Sequence, residues 1–163
     1  MTASPAAPEE SARRAVADDL PALVDLAAAA IAEKRTQKGG ELWARRERRP
    51  DPIDRSLADA LAADDHEVLV GLIDDTVIGF GAAHTEELAD GGLLGIVDEV
   101  FVDPEARAIG VGEALMDQLV AWCRDQGCFG VDSLALPGDR ATKNFFESFG
   151  LVARAIVVHR RLV

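Results

Sequence analysis

Tyrosine is absent from this 163-residue chain, while cysteine occurs twice and histidine three times. With no phenol available, any proton transfer falls to carboxylates, imidazoles, thiols, amines or water. Cys123 and Cys128 are too few for a disulfide framework, and His66, His84 and His159 are too scattered to complete a metal set with them, so no metal is expected. No apolar run approaches the ~20 residues of a membrane span, so no membrane partner is expected. Basic side chains are also scarce, 17 against 29 acidic ones. The resulting net charge of −12 repels a phosphate backbone over most of the surface and argues against a nucleic-acid partner. A cationic partner is easier to accommodate. Residues 1–10 lack the basic start and apolar core of a signal peptide and are expected to form a flexible tail, with the cytoplasm as the expected location.

What is present suits one globular domain over residues 11–163. The 48% hydrophobic content is ordinary for a core, and a chain of this length buries about 70% of the surface exposed when unfolded. Residues 13–17 read as a short strand. Asp18 or Asp19 then caps a helix whose apolar face is Leu20, Leu23, Val24, Ala27 and Ile31, with Lys34, Arg35 and Lys38 near its end before Gly39-Gly40. Residues 41–49 read as a second helix whose Arg45–Arg49 cluster, beside Trp43, is expected to be a solvated helix end. Pro50 and Pro52 break it before a further helical piece, residues 54–63. The pattern then changes to two β-rich runs, 68–73 and 76–84, around Asp74-Asp75, a hairpin signal. A polar loop at 86–92 leads to a strand at 93–102, ended by Asp103-Pro104.

Residues 107–112, Arg-Ala-Ile-Gly-Val-Gly, join that strand to a helix over 113–126 with a buried face of Val111, Leu115, Leu119 and Trp122. A glycine-containing loop between strand and helix aims backbone N–H groups and the positive helix end at one point, an anion cradle for a pyrophosphate. A strand at 129–136, a Pro137-Gly138 turn, a helix at 140–148 capped by Asp139 and a closing strand at 151–162 complete the chain. The closing strand is also placed to pair across a two-fold axis, which would make a homodimer. The expected fold is mixed α/β, in the order β-α-α-β-β-β-α-β-α-β. Its central sheet is mostly antiparallel, with helices on both faces.

This order, with Arg-x-x-Gly-x-Gly after the fourth strand, resembles the GNAT superfamily of N-acetyltransferases. The similarity spans about residues 12–163. It also rests on the opening Arg-Ala-Val-Ala-Asp-Asp-Leu-Pro-Ala-Leu, on Val-Phe-Val-Asp-Pro-Glu-Ala-Arg and on Asn-Phe-Phe-Glu-Ser-Phe-Gly. The resemblance implies acetyl-CoA as co-substrate, with its pyrophosphate on the loop Arg107, Ala108, Ile109, Gly110, Val111 and Gly112. It implies that the backbone of Val100, Phe101 and Val102 pairs with the pantetheine arm, one N–H polarising the thioester carbonyl. Asp139 stands where relatives often carry a pantetheine-contacting asparagine, and a helix cap is its simpler role. Phe146 stands where many relatives place a tyrosine that protonates the departing thiolate; here Ser148, Cys128 or water are the substitutes, or the thiolate leaves unaided. Ala108-Ile109 replaces the usual glycine and cation, leaving Lys143 or Arg140 to compensate.

The reaction implied is direct attack of an amine on the thioester. A lysine-like amine is neutral in about one molecule in 2,500 at pH 7, a cost near ~4.6 kcal/mol, against about 1 kcal/mol for an α-amino group. A base therefore matters most for the former. Relatives often place an acidic, amine-contacting residue where Asp98 lies, and Asp98 is expected first and Glu99 second as base. Strand alternation sets the two on opposite faces, so that only one reaches the cleft. Leu134 stands where some relatives carry a glutamate, with Asp132 two residues earlier as a substitute. His84 is a further proton relay or a hydrogen-bonded structural residue. The acceptor (small amine, peptide N-terminus or lysine) would be held by residues 39–52 and 86–92. The competing reading is a CoA-binding sensor or partner-binding module that keeps the fold without turnover, motivated by Phe146 and Leu134.

Overall fold

The structure, a computed structural model, describes residue 7 and residues 9–107 and 110–163. The expected tail lies largely outside the described residues, as do Ala108 and Ile109. Five strands form one sheet in the order β1-β2-β3-β4-β5. They are β1 (Glu10–Arg14), β2 (His66–Ile73), β3 (Thr76–Glu87), β4 (Leu93–Val102) and β5 (Gly130–Ser133). The first four are antiparallel, and β5 lies parallel to β4. The mixed, mostly antiparallel sheet is as expected.

Helices cover both faces. Alternation along β2 sends Val68 and Val70 to one side, where Leu23 and Ala27 of α1 (Leu20–Arg35) and Leu57 of α3 (Ile53–Ala62) meet them. Leu69 points to the other side, beneath Val111, Leu115 and Leu119 of α4 (Val111–Asp125). A short α2 (Gly40–Arg46) follows α1, and α5 (Arg140–Ser148) sets Phe145 and Phe146 against the α4 side. Among the described residues no helix is long and apolar enough to cross a membrane.

Three glycines let α4 lie close to the sheet. A Cβ on Gly71 of β2 would collide with Val111, one on Gly81 of β3 would sit 2.9 Å from Leu119, and one on Gly95 of β4 would sit 2.5 Å from the Cys123 sulfur. One helix residue every turn thus drops onto a bare patch of successive strands. That contact fixes where the N-terminus of α4 stands relative to β4. It also accounts for Cys123, which is wholly buried and whose thiol burial pushes up to about 11.

Several boundaries differ from expectation. The first strand starts three residues earlier than 13–17, because Glu10 to Arg14 pair with Ile73 to Leu69. Asp19 then takes the N-cap position of α1, but its carboxylate accepts from the Val16 N–H at 2.8 Å and from Arg13 at 2.7 and 2.9 Å, tying the strand end to the helix start. The fifth strand is only four residues long. No strand forms over 151–162: after Gly150 the chain carries neither helix nor strand, and residues 152–163 are exposed throughout.

Replacing Gly95 by alanine should lower unfolding stability by about 2 kcal/mol, the scale of overpacking a tight core, because both partners of the clash are fixed. A urea denaturation curve measures it; an unchanged midpoint would show that α4 does not seat on the sheet in this way.

Candidate active site

β4 and β5 run together only briefly. Their pairing covers Leu94 to Val97 against Gly130 to Ser133, and β4 continues for five residues beyond it. The Ser133 hydroxyl donates to the Val97 carbonyl at 2.9 Å, closing the ladder where the strands part. Arg107 Nε donates to the Val102 carbonyl at 3.0 Å at the other end. Between those two points the β5-side edge of β4 has no strand beside it among the described residues, and an edge of that kind offers its peptide groups to a partner.

Two cavities open along that stretch. The smaller, about 280 Å³, takes Val100, Phe101 and Val102 from β4, Arg107, Val111 and Gly112 from the start of α4, and Asp139, Phe145 and Phe146 from α5. Of the expected residues, Val100, Phe101, Val102, Arg107, Val111, Gly112, Asp139 and Phe146 line one cleft, whereas Gly110 is not among its lining residues. Gly110 holds φ at 88° immediately before α4, a left-handed conformation that only glycine adopts at little cost. No side chain caps α4, so its first N–H groups remain unclaimed by one. The Arg107 guanidinium lies 5.3 Å from the Phe101 ring and bonds Glu33 at 2.7 Å. Asp139 both lines the cleft and accepts from the Thr142 N–H at 3.1 Å, so cap and lining coincide. Burial works against its charge, but Thr142, Gln37 and Lys34 outweigh that and hold its carboxyl below the usual range.

These features fit coenzyme A. The bare helix start and the glycine backbone suit a pyrophosphate, the open β4 edge suits the amides of pantetheine, and the phenylalanine wall suits its methylenes.

The larger cavity, about 650 Å³, begins where the smaller ends, taking Asp98 and Glu99 from β4. Both face it, contrary to the expected alternation. The register explains this: Ala82 pairs with Glu99 and Ala83 with Val97, so Asp98 is the extra residue of a β-bulge, which turns adjacent side chains toward one side. The two carboxylates are not equivalent. Asp98 Oδ2 lies 2.7 Å from His84 Nδ1, the ring that pairs across from Ile96 and stacks on His66 at 5.5 Å. Glu99 is held bidentately by Arg49, whose Nη1 also reaches the Ser56 hydroxyl at 3.0 Å, with side chains only 9% and 14% exposed.

Arg49 therefore corrects the reading of residues 45–49 as a solvated helix end; the chain turns it inward after α2. Its sequence signal is slight, since a buried arginine and a solvated one look alike in a charge run. The acceptor wall likewise differs in part. Residues 43 and 47–52 line the cavity with α3, whereas none of 86–92 does, and on β3 the lining is His84. Asp132 is engaged by Arg154 on β5, Ser148 bonds the Phe145 carbonyl of its own helix at 2.6 Å, and Cys128 follows the far end of α4. None of the three lines either cavity.

The sequence pattern places Lys34 only at the end of α1. Its Nζ donates to the Leu134 carbonyl just past β5 at 3.4 Å and lies 5.0 Å from the Trp43 ring. Burial draws its pKa below the usual lysine range, opposed by the charges of Asp139, Glu99 and Glu47, which belong to both cavities. His84 moves the other way: its bond to Asp98 raises it above 6.5 despite some burial. A raised folded-state pKa means that this pair's contribution to stability is complete below about pH 6.5 and is lost as pH rises through the raised value.

The family model described as "Acetyltransferase (GNAT) family" matches residues 29–151. The chain belongs to the GNAT acetyltransferase family, whose members use acetyl-CoA. A comparison with curated proteins finds no match. Among solved structures, a point mutant of the BH1408 protein from Bacillus halodurans is similar with TM-score 0.78 and 15% identity, covering 93% of this chain and 99% of that one. Glucosamine-6-phosphate N-acetyltransferase from Arabidopsis thaliana is similar with TM-score 0.69 and 20% identity, covering 95% and 99%. AAC(6')-Iy, in complex with the bisubstrate analog CoA-S-monomethyl-acetylneamine, has TM-score 0.69 and 21% identity over 95% and 99%. At these identities the likeness is one of fold.

Breaking the Arg49–Glu99 pair should be costly. Arg49→Met leaves a carboxylate with little water, and a loss of about 3 kcal/mol is expected, partly recovered by adding Glu99→Leu. Thermal or urea unfolding of the single and double variants measures it, and additive losses would contradict the pairing.

Proposed function

We infer that the chain is an acetyl-CoA-dependent N-acetyltransferase that moves an acetyl group directly to an amine. One observation carries the reading: the open edge of β4 passes from a cleft suited to coenzyme A directly into an acidic cavity. A thioester lying along that edge places its acyl carbon at the junction, between Val100 and the Asp98–Glu99 pair. The fold also holds a CoA conjugate in AAC(6')-Iy.

Roles follow from the contacts. Arg107 and the backbone of Gly110, Val111 and Gly112 face the pyrophosphate, with Ala108 and Ile109 in the same loop. Val100, Phe101 and Val102 receive pantetheine, and an N–H among them polarises the thioester carbonyl as tetrahedral charge develops. Asp139 and Phe146 border the pantetheine end. The acceptor enters the larger cavity, where Arg49 neutralises Glu99 and Arg48 pairs with Asp51, and Asp98, with Asp59 of α3 also on the wall, attracts an ammonium.

Asp98 accepts from His84 Nδ1–H, which leaves Nε2 as the ring's remaining lone pair. His84 and Asp98 therefore act as one proton-accepting unit, while Glu99, as Arg49's partner, shapes the cavity. On collapse of the tetrahedral adduct the C–S bond breaks, the amide forms and the thiolate leaves. In a chain without tyrosine the thiolate takes its proton from water, since Lys34, like Ser148 and Cys128, lines neither cavity.

Mixing the protein with acetyl-CoA and a panel of amines should release free thiol above background for at least one of them. CoA binding without release for any amine would instead support a silent CoA-binding module. Asp98→Asn should lower transfer by at least about tenfold, most strongly below pH 8, where amines need a base. His84→Gln should remove the inflection in kcat/KM that lies above pH ~6.5. An unchanged pH profile in both variants eliminates the dyad. Gly110→Val should weaken acetyl-CoA binding by about tenfold or more, since it forbids the loop conformation and narrows the approach; unaltered affinity by calorimetry would refute the cradle.

A further inference from the structure

The larger cavity holds a second carboxylate–imidazole couple that the reaction above does not use. Asp65 Oδ1 lies 2.7 Å from His66 Nδ1, just as Asp98 Oδ2 lies 2.7 Å from His84 Nδ1. Both histidines line the cavity, and their rings stack at 5.5 Å between centroids with 23° between the planes. The register accounts for the stack: His66 of β2 pairs directly across from His84 of β3, the position at which side chains of neighbouring strands interact most strongly.

The two rings are not held equally. The His66 N–H donates to the Ala63 carbonyl at 3.4 Å, and the Thr85 N–H donates to the Asp65 carbonyl at 3.0 Å. The turn out of α3 thus fastens the start of β2 to β3, and Asp65 fixes the His66 ring from one side. His84 is held by polar contact at Nδ1 alone, and its side chain is 30% exposed. The outer torsion of a histidine has a broad minimum, so one hydrogen bond leaves its ring free to tilt. A ring face laid against it removes that freedom.

We propose that His66 is a positioning residue: its ring, fixed by Asp65 and by the turn out of α3, holds the His84 ring at the angle that keeps Nδ1 on Asp98 and Nε2 toward the acceptor. The catalytic consequence rests on the reading of His84 and Asp98 as the proton-accepting unit; the orientation of the ring does not. Asp98 chiefly, then Glu86 and Asp65, favour the charged form of His84 against some burial, and His66 stacks on its face. Exchanging His66 for an uncharged residue removes none of those carboxylates. Alanine and phenylalanine are equally uncharged, so comparing them isolates the ring face.

Nitrogen-15 spectra of the full-length chain with labelled histidine, at a pH of about 8, should show His84 as a single tautomer protonated at Nδ1. In His66→Ala the signals should move to the average of two tautomers with an unchanged circular dichroism spectrum, and His66→Phe should restore the single form. With an amine that the native chain acetylates, His66→Ala should lower kcat about fivefold or more with KM for the amine within about twofold. The inflection in kcat/KM should fall toward pH ~6.5 as the bond to Asp98 loosens, and His66→Phe should recover both rate and inflection. A His84 tautomer and titration in His66→Ala identical to those of the native chain would overturn the proposal. A loss that phenylalanine does not recover overturns it too, since His66 would then act through its own nitrogen. A native chain that acetylates no amine removes the catalytic reading instead, and the spectra still decide whether His66 holds the ring.

Discussion

The parting of β4 from β5 is the constraint on which the rest depends. Parallel strands that pair for four residues and then separate leave one of them with peptide groups facing a gap, one strand in from the end of the sheet. Elsewhere such groups would be paired by another strand; here the Ser133 hydroxyl closes the ladder on one side and Arg107 covers Val102 on the other. The gap is thereby shaped for an extended, amide-bearing molecule. The glycine patches under α4 fix the helix whose uncapped start stands at one end of that gap, so stability and site are set by the same contacts.

A second device lies one step along the same strand. The bulge at Asp98 turns two neighbouring carboxylates into one cavity, and their partners then give them different tasks. Arg49 takes up the charge of Glu99 in a nearly dry pair, a structural arrangement that is costly to break. His84 leaves Asp98 in a hydrogen-bonded couple that still borders solvent, where proton exchange is easy. Neighbouring acids of identical chemistry thus diverge through what each one touches.

Much of this was legible in the residues. The two-residue Asp turn between β-rich runs gave the β2–β3 hairpin, and Asp74 does adopt the positive φ such a turn needs. Spacings of four placed Val111, Leu115 and Leu119 under α4, and the glycine loop stood where the cleft opens. What stayed hidden depends on partners distant in sequence. A bulge is a property of two strands, so alternation along β4 alone sent Asp98 and Glu99 apart. The inward turn of Arg49 depends on Glu99, fifty residues away. Lys34 looked like a helix-end cation because nothing local announces the Leu134 carbonyl. The apolar pattern of 151–162 reads as a strand, yet the segment takes no strand pairing even beside the free edge of β5, which it meets through Arg154 and Asp132.

The most direct test is a crystal structure of the protein grown with coenzyme A. The pyrophosphate should lie within hydrogen-bonding distance of the N–H groups of residues 110–113, with pantetheine alongside residues 100–102 and the sulfur pointing toward Asp98. Coenzyme A bound elsewhere, or a gap between β4 and β5 left without it at saturating concentration, would contradict the account.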